Sequence, residues 1–348
     1  MHNNPLLVDA GLLGRLGNYT RKCLPRERCA IISDSNVAPL FADCITKSLK
    51  SAGFRSTLIT IRAGEKSKTL EQVGVICDRM IAAGLDRQSF VVGLGGGMIG
   101  DISGFVAAIY HRGIPHVQIP TTLLAMVDSS IGGKTGVDTR AGKNLIGAFH
   151  QPSLVIDDLD LLRTLPRRQF NQGFAEIIKH AVIADAKMFR MLQSWKAGAA
   201  PALQRVIKRN IQIKSRIVMK DERDRTGQRA VLNFGHTVGH AIERVGNYRK
   251  FLHGEAVSLG MVAACAISMK RAGLPPDQRA AIVDLLERFG LPTRLPPKFP
   301  RKKILDAVNF DKKFESGEVR FVVTPRIGVA YIADNVSLED IREATENL

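Results

Sequence analysis

Three residues in the second half of the chain have the side chains of a catalytic metal site. Glu176, His236 and His253 offer one carboxylate and two imidazoles, and each lies in a segment with helical character or at the start of one. Two imidazoles and one carboxylate leave open coordination positions on a divalent ion such as Zn²⁺. The set therefore predicts a metal ion that acidifies a bound hydroxyl group.

The histidines at 236 and 240 share one face of a predicted helix. They lie four residues apart, so His236 and His240 can bind one ion together or have separate roles. A metalloprotease would place its general-base glutamate directly after the first histidine, but Thr237 stands there. Glu176 lies on another predicted helix, opposite an apolar stripe and on the same side as Lys179. These patterns favour a metal centre built from separate helices and argue against a protease.

A glycine-rich segment in the first half has the pattern of a phosphate cradle. Gly95, Gly97 and Gly100 match the GxGxxG spacing, after a predicted strand and before a predicted helix. Glycine lets backbone N–H groups approach a pyrophosphate at the helix N-terminus. The segment follows the third predicted strand rather than the first, which favours a variant of the Rossmann arrangement. Glycines that serve packing alone remain the alternative.

A second segment rich in glycine and lysine runs from Asp128 to Gly136 and continues at 142–144. Its GGKT sequence imitates the end of a P-loop, but position 128 would have to be glycine, so it is not a Walker A motif. We expect flexible loops whose lysines, hydroxyl and amide bind a phosphorylated small molecule. Solvated loop lysines fit the pattern equally well.

The elements that must position these residues alternate in the first half and are mainly helical in the second. Strands are predicted near 28–34, 56–61, 89–94, 116–120 and 154–157, with helices from about 37 to 52, up to about 83 and through 102–110. This alternation predicts an NAD-binding α/β domain over residues 1–166, a Rossmann-like variant with a mostly parallel sheet. Residues 167–348 are predicted to form a mainly α-helical metal- and substrate-binding domain with one late strand pair.

Composition permits an ordinary globular enzyme. The 348 residues are 45% hydrophobic, enough for two substantial cores. The net charge is +17, but the basic residues are scattered without aromatic interleaving, so we expect a solvated cationic surface and no nucleic-acid partner, with incidental RNA affinity as the alternative. The five cysteines form no CxxC pair, and neither a secretory signal nor a membrane-length apolar run is found. We expect a cytoplasmic protein without a membrane partner.

Taken in order, the motifs resemble those of the 3-dehydroquinate synthases, sugar phosphate cyclases of the shikimate pathway. The segments that carry the resemblance are GGGMIGD at 95–101, PTTLL at 120–124, DSSIGGKT at 128–135, GKN at 142–144, AEIIK at 175–179, NFGHTVGH at 233–240 and HGE at 253–255. They span nearly the whole chain in fixed order. Several long motifs in one sequence make chance or a merely shared fold a poor explanation.

The resemblance implies a role for individual residues. It implies that the metal ligands are Glu176, His236 and His253. It implies that NAD contacts come from Asp34, Glu65, Lys68, Gly95, Gly96, Gly97, Asp101, Thr121, Thr122, Asp128, Lys143, Thr164 and Gln169. It implies that substrate binding and proton transfer involve Arg112, Lys134, Lys143, Asn144, Lys179, Lys214, Arg229, Asn233, His240 and Lys313. The segment Asp221–Arg229 is one residue longer than the family's acidic loop, and Asp224 can stand in for its substrate-binding glutamate.

The resemblance also implies an activity. The substrate would be 3-deoxy-D-arabino-heptulosonate 7-phosphate, converted to 3-dehydroquinate and phosphate by transient oxidation, β-elimination, reduction and intramolecular aldol closure. NAD and Zn²⁺ or Co²⁺ would be the cofactors, the site would lie in the cleft between the domains, and the protein would be a homodimer. Two alternatives remain: a related cyclase acting on sedoheptulose 7-phosphate, and a polyol dehydrogenase that releases NADH.

Overall fold

The chain forms two compact units, which we describe separately. The computed structural model describes residues 5–195, 200–309, 314–315 and 318–348. Unit 1 is Met1–Leu165 and unit 2 is Pro166–Leu348. In the described part of the chain, no helix has both the length and the apolar character needed to cross a bilayer.

Unit 1 is built on a parallel sheet. Its strands are β1 (Leu6–Asp9), β2 (Arg28–Asp34), β3 (Arg55–Ile61), β4 (Phe90–Gly95), β5 (His116–Pro120), β6 (Lys134–Val137), β7 (Ile146–Phe149) and β8 (Leu154–Asp158). Its helices are α1 (Leu16–Cys23), α2 (Ala38–Ser51), α3 (Leu70–Ala82) and α4 (Gly97–Ile109). Six strands pair in the order β1-β8-β5-β4-β2-β3, and every pairing is parallel.

The direction of this sheet's connections reverses at its centre. Residues 29–32 of β2 are fully buried, as expected of a strand covered on both faces. From β2 the chain adds β3 on one side and then returns to place β4 on the other. Asp34 and Gly95 end the two strands at this reversal. The carboxyl ends of strands at such a point form the crevice in which open parallel sheets bind ligands.

The Gly/Lys segment forms regular structure. Strands β6 and β7 are an antiparallel pair in which Lys134 lies opposite Phe149 and Val137 lies opposite Ile146. The expectation of a flexible loop is therefore wrong for Lys134, which begins a strand. The pairing was difficult to predict because the glycines at 136 and 147 lower strand propensity. The close approach of the two strands nevertheless requires glycine, because a Cβ at Gly147 would stand 2.0 Å from a carbonyl oxygen of the partner strand.

Unit 2 is mainly helical. Its helices are α5 (Arg167–Ala184), α6 (Ala186–Gln193), α7 (Ala200–Lys220), α8 (His236–Val245), α9 (His253–Ala272), α10 (Pro276–Arg288), α11 (Lys302–Asn309) and α12 (Leu338–Glu346). Its strands β9 (Phe314–Glu315), β10 (Glu318–Arg326) and β11 (Val329–Val336) form an antiparallel sheet with β10 in the middle. The predicted fold class is confirmed, and β1 and the β6–β7 pair were not predicted.

Candidate metal centre and nucleotide-binding edge

Glu176 lies in a stretch of α5 that is buried on all sides. Every residue of α5 from Gln172 to Ile183 is buried, so its polar face points into the interior. Glu176 is 0% exposed, and Lys179 forms an ion pair with its Oε2. Burial alone would raise the pKa of Glu176, but Lys179 and His236 hold that pKa well below its usual range. The carboxylate is therefore ionised and able to bind a cation.

Two histidines from neighbouring helices face this carboxylate. Nε2 of His236, the first residue of α8, lies 3.4 Å from Glu176 Oε1, and Nε2 of His253, the first residue of α9, lies 3.7 Å from the same atom. His236 Nδ1–H donates to the carbonyl of Phe234 at 3.2 Å. His253 Nδ1–H donates to Glu243 Oε2 at 3.2 Å. These bonds orient both rings with Nε2 toward Glu176, as is usual for metal-binding histidines.

Glycines let the two helices that carry these histidines approach closely. Gly235, which precedes α8, has φ +78°, a left-handed conformation that favours glycine. A Cβ built at Gly260 of α9 would stand 1.9 Å from the Gly235 carbonyl oxygen. A Cβ at Gly239 would stand 3.1 Å from the Ala256 carbonyl oxygen. The spacing of α8 and α9 therefore depends on the absence of side chains at their contact.

The three predicted ligands fit a divalent metal ion. One donor atom from each of Glu176, His236 and His253 lies within 4.8 Å of the other two. Glu176 Oε1 is buried and receives no hydrogen bond, and a cation at this place would satisfy it. One carboxylate and two imidazoles suit Zn²⁺ or Co²⁺ with open positions. The residues present therefore fit the predicted ion.

A second group of possible ligands shares one histidine with the first. Donor atoms of His240, Glu243 and His253 also lie within 4.8 Å of one another. Glu243, however, is already at hydrogen-bond distance from His253 Nδ1. His240 is exposed, and its ring centre lies 5.2 Å from that of His236. This geometry favours Glu243 as the residue that orients His253 and leaves His240 at the edge of the centre.

In unit 1, four of the predicted cofactor residues, Asp34, Gly95, Gly96 and Thr121, lie at the carboxyl ends of parallel strands. Gly95 ends β4, Gly96 precedes α4, and Thr121 directly follows β5. No side chain caps the N-terminus of α4 and no acidic residue lies in its first turn, so its N–H groups suit a phosphate. The buried Thr121 hydroxyl has no hydrogen-bond partner. Asp34 uses its Oδ1 to accept from the N–H groups of its own turn.

A charged cluster in unit 1 joins residues that the resemblance assigns partly to NAD and partly to substrate. Lys68 is 2% exposed; its Nζ lies 2.5 Å from Asp101 Oδ2 and also donates to Asn144 Oδ1. Glu65 Oε1 lies 4.0 Å from Lys68 Nζ and 3.7 Å from Lys143 Nζ. Burial raises the pKa of Asp101 to about 6 although Lys68 opposes this shift. The cluster thus brings five predicted site residues together.

The remaining predicted residues are distributed over both units. In unit 1, Arg112 is exposed with φ +68°, and Lys134 and Thr164 are also exposed. Gly97 begins α4, Thr122 accepts a hydrogen bond from the Ala125 N–H, and Asp128 lies in a short π-helix, Ala125–Ser129. In unit 2, Lys179, Lys214 and Arg229 are buried, whereas Gln169 and Asn233 are half-buried. Lys313 lies outside the described residues.

The long acidic loop of unit 2 is organised by its first residue. Asp221 accepts hydrogen bonds from the N–H groups of Arg225 at 2.8 Å and Thr226 at 3.2 Å. Burial would raise the pKa of Asp221, but these backbone hydrogen bonds lower it to about 2. Asp224 is exposed with φ +53°, and Arg229 donates to the Glu222 carbonyl at 3.3 Å. The loop therefore holds Arg229 from the backbone and leaves the Asp224 side chain exposed.

Sequence reasoning missed Glu243 and Asp138, which contact the predicted site. Glu243 binds His253 Nδ1 in unit 2, and Asp138 Oδ1 accepts from the Asn144 N–H at 2.9 Å in unit 1. The spacing of His236, His240 and Glu243 at i, i+4 and i+7 on one helix was a signal for the first. No comparable pattern marked Asp138, because its contact depends on the shape of a turn.

Fold and site together define a class of proteins. A parallel α/β unit with a glycine-initiated helix at its ligand edge precedes a helical unit that carries a Glu/His/His donor set for a divalent ion. That combination is characteristic of two-domain enzymes that pair a dinucleotide with a metal ion.

Comparisons with known proteins specify the family. Residues 58–172 match the family model for the 3-dehydroquinate synthase N-terminal domain, and residues 173–314 match that for the C-terminal domain. The curated 3-dehydroquinate synthase of Symbiobacterium thermophilum is 46% identical over 351 residues, covering 99% of this chain and 97% of that protein. The chain belongs to the 3-dehydroquinate synthase family.

Two solved structures are similar over nearly their whole length. One is ValA, a 2-epi-5-epi-valiolone synthase from Streptomyces hygroscopicus with NAD⁺ and Zn²⁺ bound; the TM-score is 0.90 at 29% identity, covering 99% of this chain and 96% of that one. The other is a 2-deoxy-scyllo-inosose synthase with carbaglucose-6-phosphate, NAD⁺ and Co²⁺; the TM-score is 0.89 at 25% identity, covering 98% and 96%.

Proposed function

We propose that the protein is a phosphate-eliminating lyase that converts 3-deoxy-D-arabino-heptulosonate 7-phosphate to 3-dehydroquinate and inorganic phosphate, a step of the shikimate pathway toward aromatic amino acids. The observation that carries the proposal is the Glu176/His236/His253 donor set in a chain that matches both 3-dehydroquinate synthase family models. The relative at 46% identity over nearly the full length supports the same activity.

NAD and a divalent metal ion, Zn²⁺ or Co²⁺, are proposed as cofactors, since both similar structures hold NAD⁺ with one of these ions. When bound, the metal lowers the pKa of a substrate hydroxyl and the nicotinamide takes and returns a hydride. In this chain Glu176, His236 and His253 would hold the ion. The N-terminus of α4 and the strand ends at Asp34 and Thr121 would hold the dinucleotide.

The chain's own residues have distinct tasks in this proposal. Lys143 and Arg229 bind the phosphate group and stabilise the negative charge that it gains as it leaves. His240, an exposed imidazole beside the metal ligands, moves the proton that leaves C6 of the substrate. The other residues assigned by resemblance, Arg112, Lys134, Asn144, Lys179, Lys214, Asn233 and Lys313, are proposed to bind and orient the substrate.

Product analysis tests the proposal. Purified protein with NAD and Zn²⁺ or Co²⁺ is incubated separately with the heptulosonate phosphate and with sedoheptulose 7-phosphate, while phosphate release is followed and the products are identified by mass spectrometry. We expect 3-dehydroquinate from the first substrate and no accumulation of NADH. A carbocycle formed only from the second would make the protein a different sugar phosphate cyclase. NADH formed mole for mole with product would make it a dehydrogenase.

We also propose that the protein acts as a homodimer in the cytoplasm. Membership of a biosynthetic enzyme family supports this proposal. Light scattering coupled to size-exclusion chromatography should give twice the mass of one 348-residue chain; a monomer mass over the whole working concentration range would contradict it.

A further inference from the structure

A turn between β6 and β7 places Lys143 and Asn144 beside Lys68. Within this turn Thr139 N–H donates to the Gly142 carbonyl at 2.9 Å, and Thr139 Oγ1 accepts from the Gly142 N–H at 3.3 Å. Asn144 follows with φ +55°, a left-handed conformation that asparagine tolerates better than most residues. The side chain of Asn144 accepts a hydrogen bond from Lys68. The backbone conformation of Asn144 is therefore one that costs free energy, and the contacts around the turn must stabilise it.

Asp138 forms hydrogen bonds to the backbone of both partners of this contact, Lys68 and Asn144. Its own N–H donates to the Lys68 carbonyl at 2.8 Å, and its Oδ1 accepts from the Asn144 N–H at 2.9 Å. One residue thus fixes the backbone at Lys68 and at Asn144, the same two residues whose side chains meet. A hydrogen bond that an ionised carboxylate accepts from a backbone N–H is one of the stronger kinds in proteins.

We propose that Asp138 is a positioning residue that holds Asn144, and with it Lys143, in place for the phosphorylated substrate. The inference rests on the proposed function for its substrate. Asp138 acts through the turn, because its hydrogen-bonding contacts are to backbone groups at Lys68 and Asn144. Burial raises the pKa of Asp138, while the hydrogen bond from the Asn144 N–H and the charges of Lys68 and Lys143 oppose that rise, so a purely electrostatic role is the competing explanation.

Three substitutions of Asp138 distinguish the role of its hydrogen bond from the role of its charge. Asp138→Asn retains an oxygen that can accept from the Asn144 N–H and removes the charge. Asp138→Glu retains the charge and moves the oxygens by one methylene. Asp138→Ala removes both. Asp43→Ala, which deletes an exposed carboxylate on α2 of the same unit, is the matched control.

Hydrogen exchange of peptides covering 139–145 measures the turn directly. We expect exchange about tenfold faster in Asp138→Ala and in Asp138→Glu, since one strong hydrogen bond is lost, and within about twofold of wild type in Asp138→Asn and Asp43→Ala. Unchanged protection in Asp138→Ala overturns the proposal. Equal loss in Asp138→Asn and Asp138→Ala overturns it in favour of charge. If Asp138→Ala does not fold, the Asn and Glu variants decide alone.

Kinetics provide the second readout. With NAD and metal saturating, Asp138→Ala should raise KM for the heptulosonate phosphate about tenfold while kcat stays within about threefold of wild type. Asp138→Asn should have the KM and kcat of the wild type. A tenfold loss confined to kcat contradicts a role in placing the binding groups. If wild type does not turn over this substrate, the proposed function fails, whereas the exchange data still decide whether Asp138 orders the turn.

Discussion

The two clusters of predicted site residues are built in opposite ways. The candidate metal centre of unit 2 uses residues at the middle of α5 and the first positions of α8 and α9, and its carboxylate is completely buried. The charged cluster of unit 1 uses the turn between β6 and β7 together with Glu65 and Lys68, and Lys143 and Glu65 keep 30% and 43% of their side chains exposed.

This difference suggests what each cluster must do. A metal ion needs donors fixed to within a few tenths of an ångström, which packed helices supply. The phosphorylated sugar proposed as substrate would have to enter, react and leave, and lysines on a hydrogen-bonded turn could follow it. Unit 2 should therefore respond to the loss of a single proposed ligand by losing its ion outright, and unit 1 should respond to the loss of a single lysine by losing affinity in steps.

The largest effect is expected at the helix-mounted centre. His253→Ala removes one of three proposed ligands and should weaken metal affinity by about a thousandfold or more and abolish turnover, since each ligand to such an ion carries several kcal/mol. Elemental analysis after gel filtration measures retained metal. His240→Ala is the matched control: it should retain a full equivalent and lose turnover. Metal lost from His240→Ala but kept by His253→Ala would contradict the ligand assignment.

A smaller effect is expected in the charged cluster. Lys143→Ala should weaken handling of the phosphorylated substrate about 10–100-fold, because charge-assisted hydrogen bonds contribute roughly 1.5–3 kcal/mol each. The affinity for NAD should stay within a few-fold of wild type by calorimetry. If NAD binding collapses while substrate affinity is unchanged, Lys143 belongs to the cofactor, which its position 3.7 Å from Glu65 would then explain.

Glu243 tests whether the metal centre depends on residues beyond its ligands. Glu243→Ala should lower Co²⁺ affinity by about tenfold, because His253 loses the partner of its Nδ1. The visible absorption of bound Co²⁺, titrated against a chelator, measures this without turnover. Glu287→Ala, on α10 of the same unit, is a suitable carboxylate control. Equal Co²⁺ affinity in wild type and Glu243→Ala would show that packing alone orients His253.

The smallest effect concerns acid stability. His116 of β5 is 0% exposed, its Nδ1 has no hydrogen-bond partner, and its ring stacks on that of His150 with centres 5.0 Å apart. Burial lowers the pKa of His116 to about 3. Below pH 6.5 the unfolded chain therefore binds a proton that the folded protein cannot, and stability is lost as pH falls toward 3.

The pH dependence of the free energy of unfolding tests this prediction. Between pH 6.5 and 5 the free energy of unfolding should fall by about 1 kcal/mol per pH unit because of His116. His116→Leu cannot titrate, so its urea-unfolding curves should show a shallower dependence than wild type by this amount. Parallel dependences would mean that the buried ring accepts a proton in the folded state.

The sequence was most informative where chemistry and periodicity coincide. Helical spacing placed Glu176 and Lys179 on one side of α5, and the apolar run before Gly95 marked β4 and the helix after it. Strand β1 was missed because four residues carry too little periodicity. The pairing of β6 with β7 was missed because it joins two glycine-containing segments across a turn.

The burial of each site residue and the partner of each supporting residue could not be predicted from the sequence. Nothing local distinguishes Glu176, which is fully buried, from an exposed helical glutamate. The contact of Glu243 with His253 depends on the crossing of two helices, and that of Asp138 with Asn144 depends on a left-handed residue. Residue types therefore indicated the chemistry, whereas tertiary packing determined which groups support it.

The glycine contact between α8 and α9 has a consequence for how this centre can change. A methyl group at Gly260 has no room beside the Gly235 carbonyl, so any larger residue there must push the two histidine-bearing helices apart. Metal–ligand bonds tolerate displacements of only about 0.2 Å. A side chain at Gly260 would therefore displace the predicted ligands His236 and His253 without changing either of them. The residues that restrict how this site can vary in evolution thus include glycines that would not touch the ion.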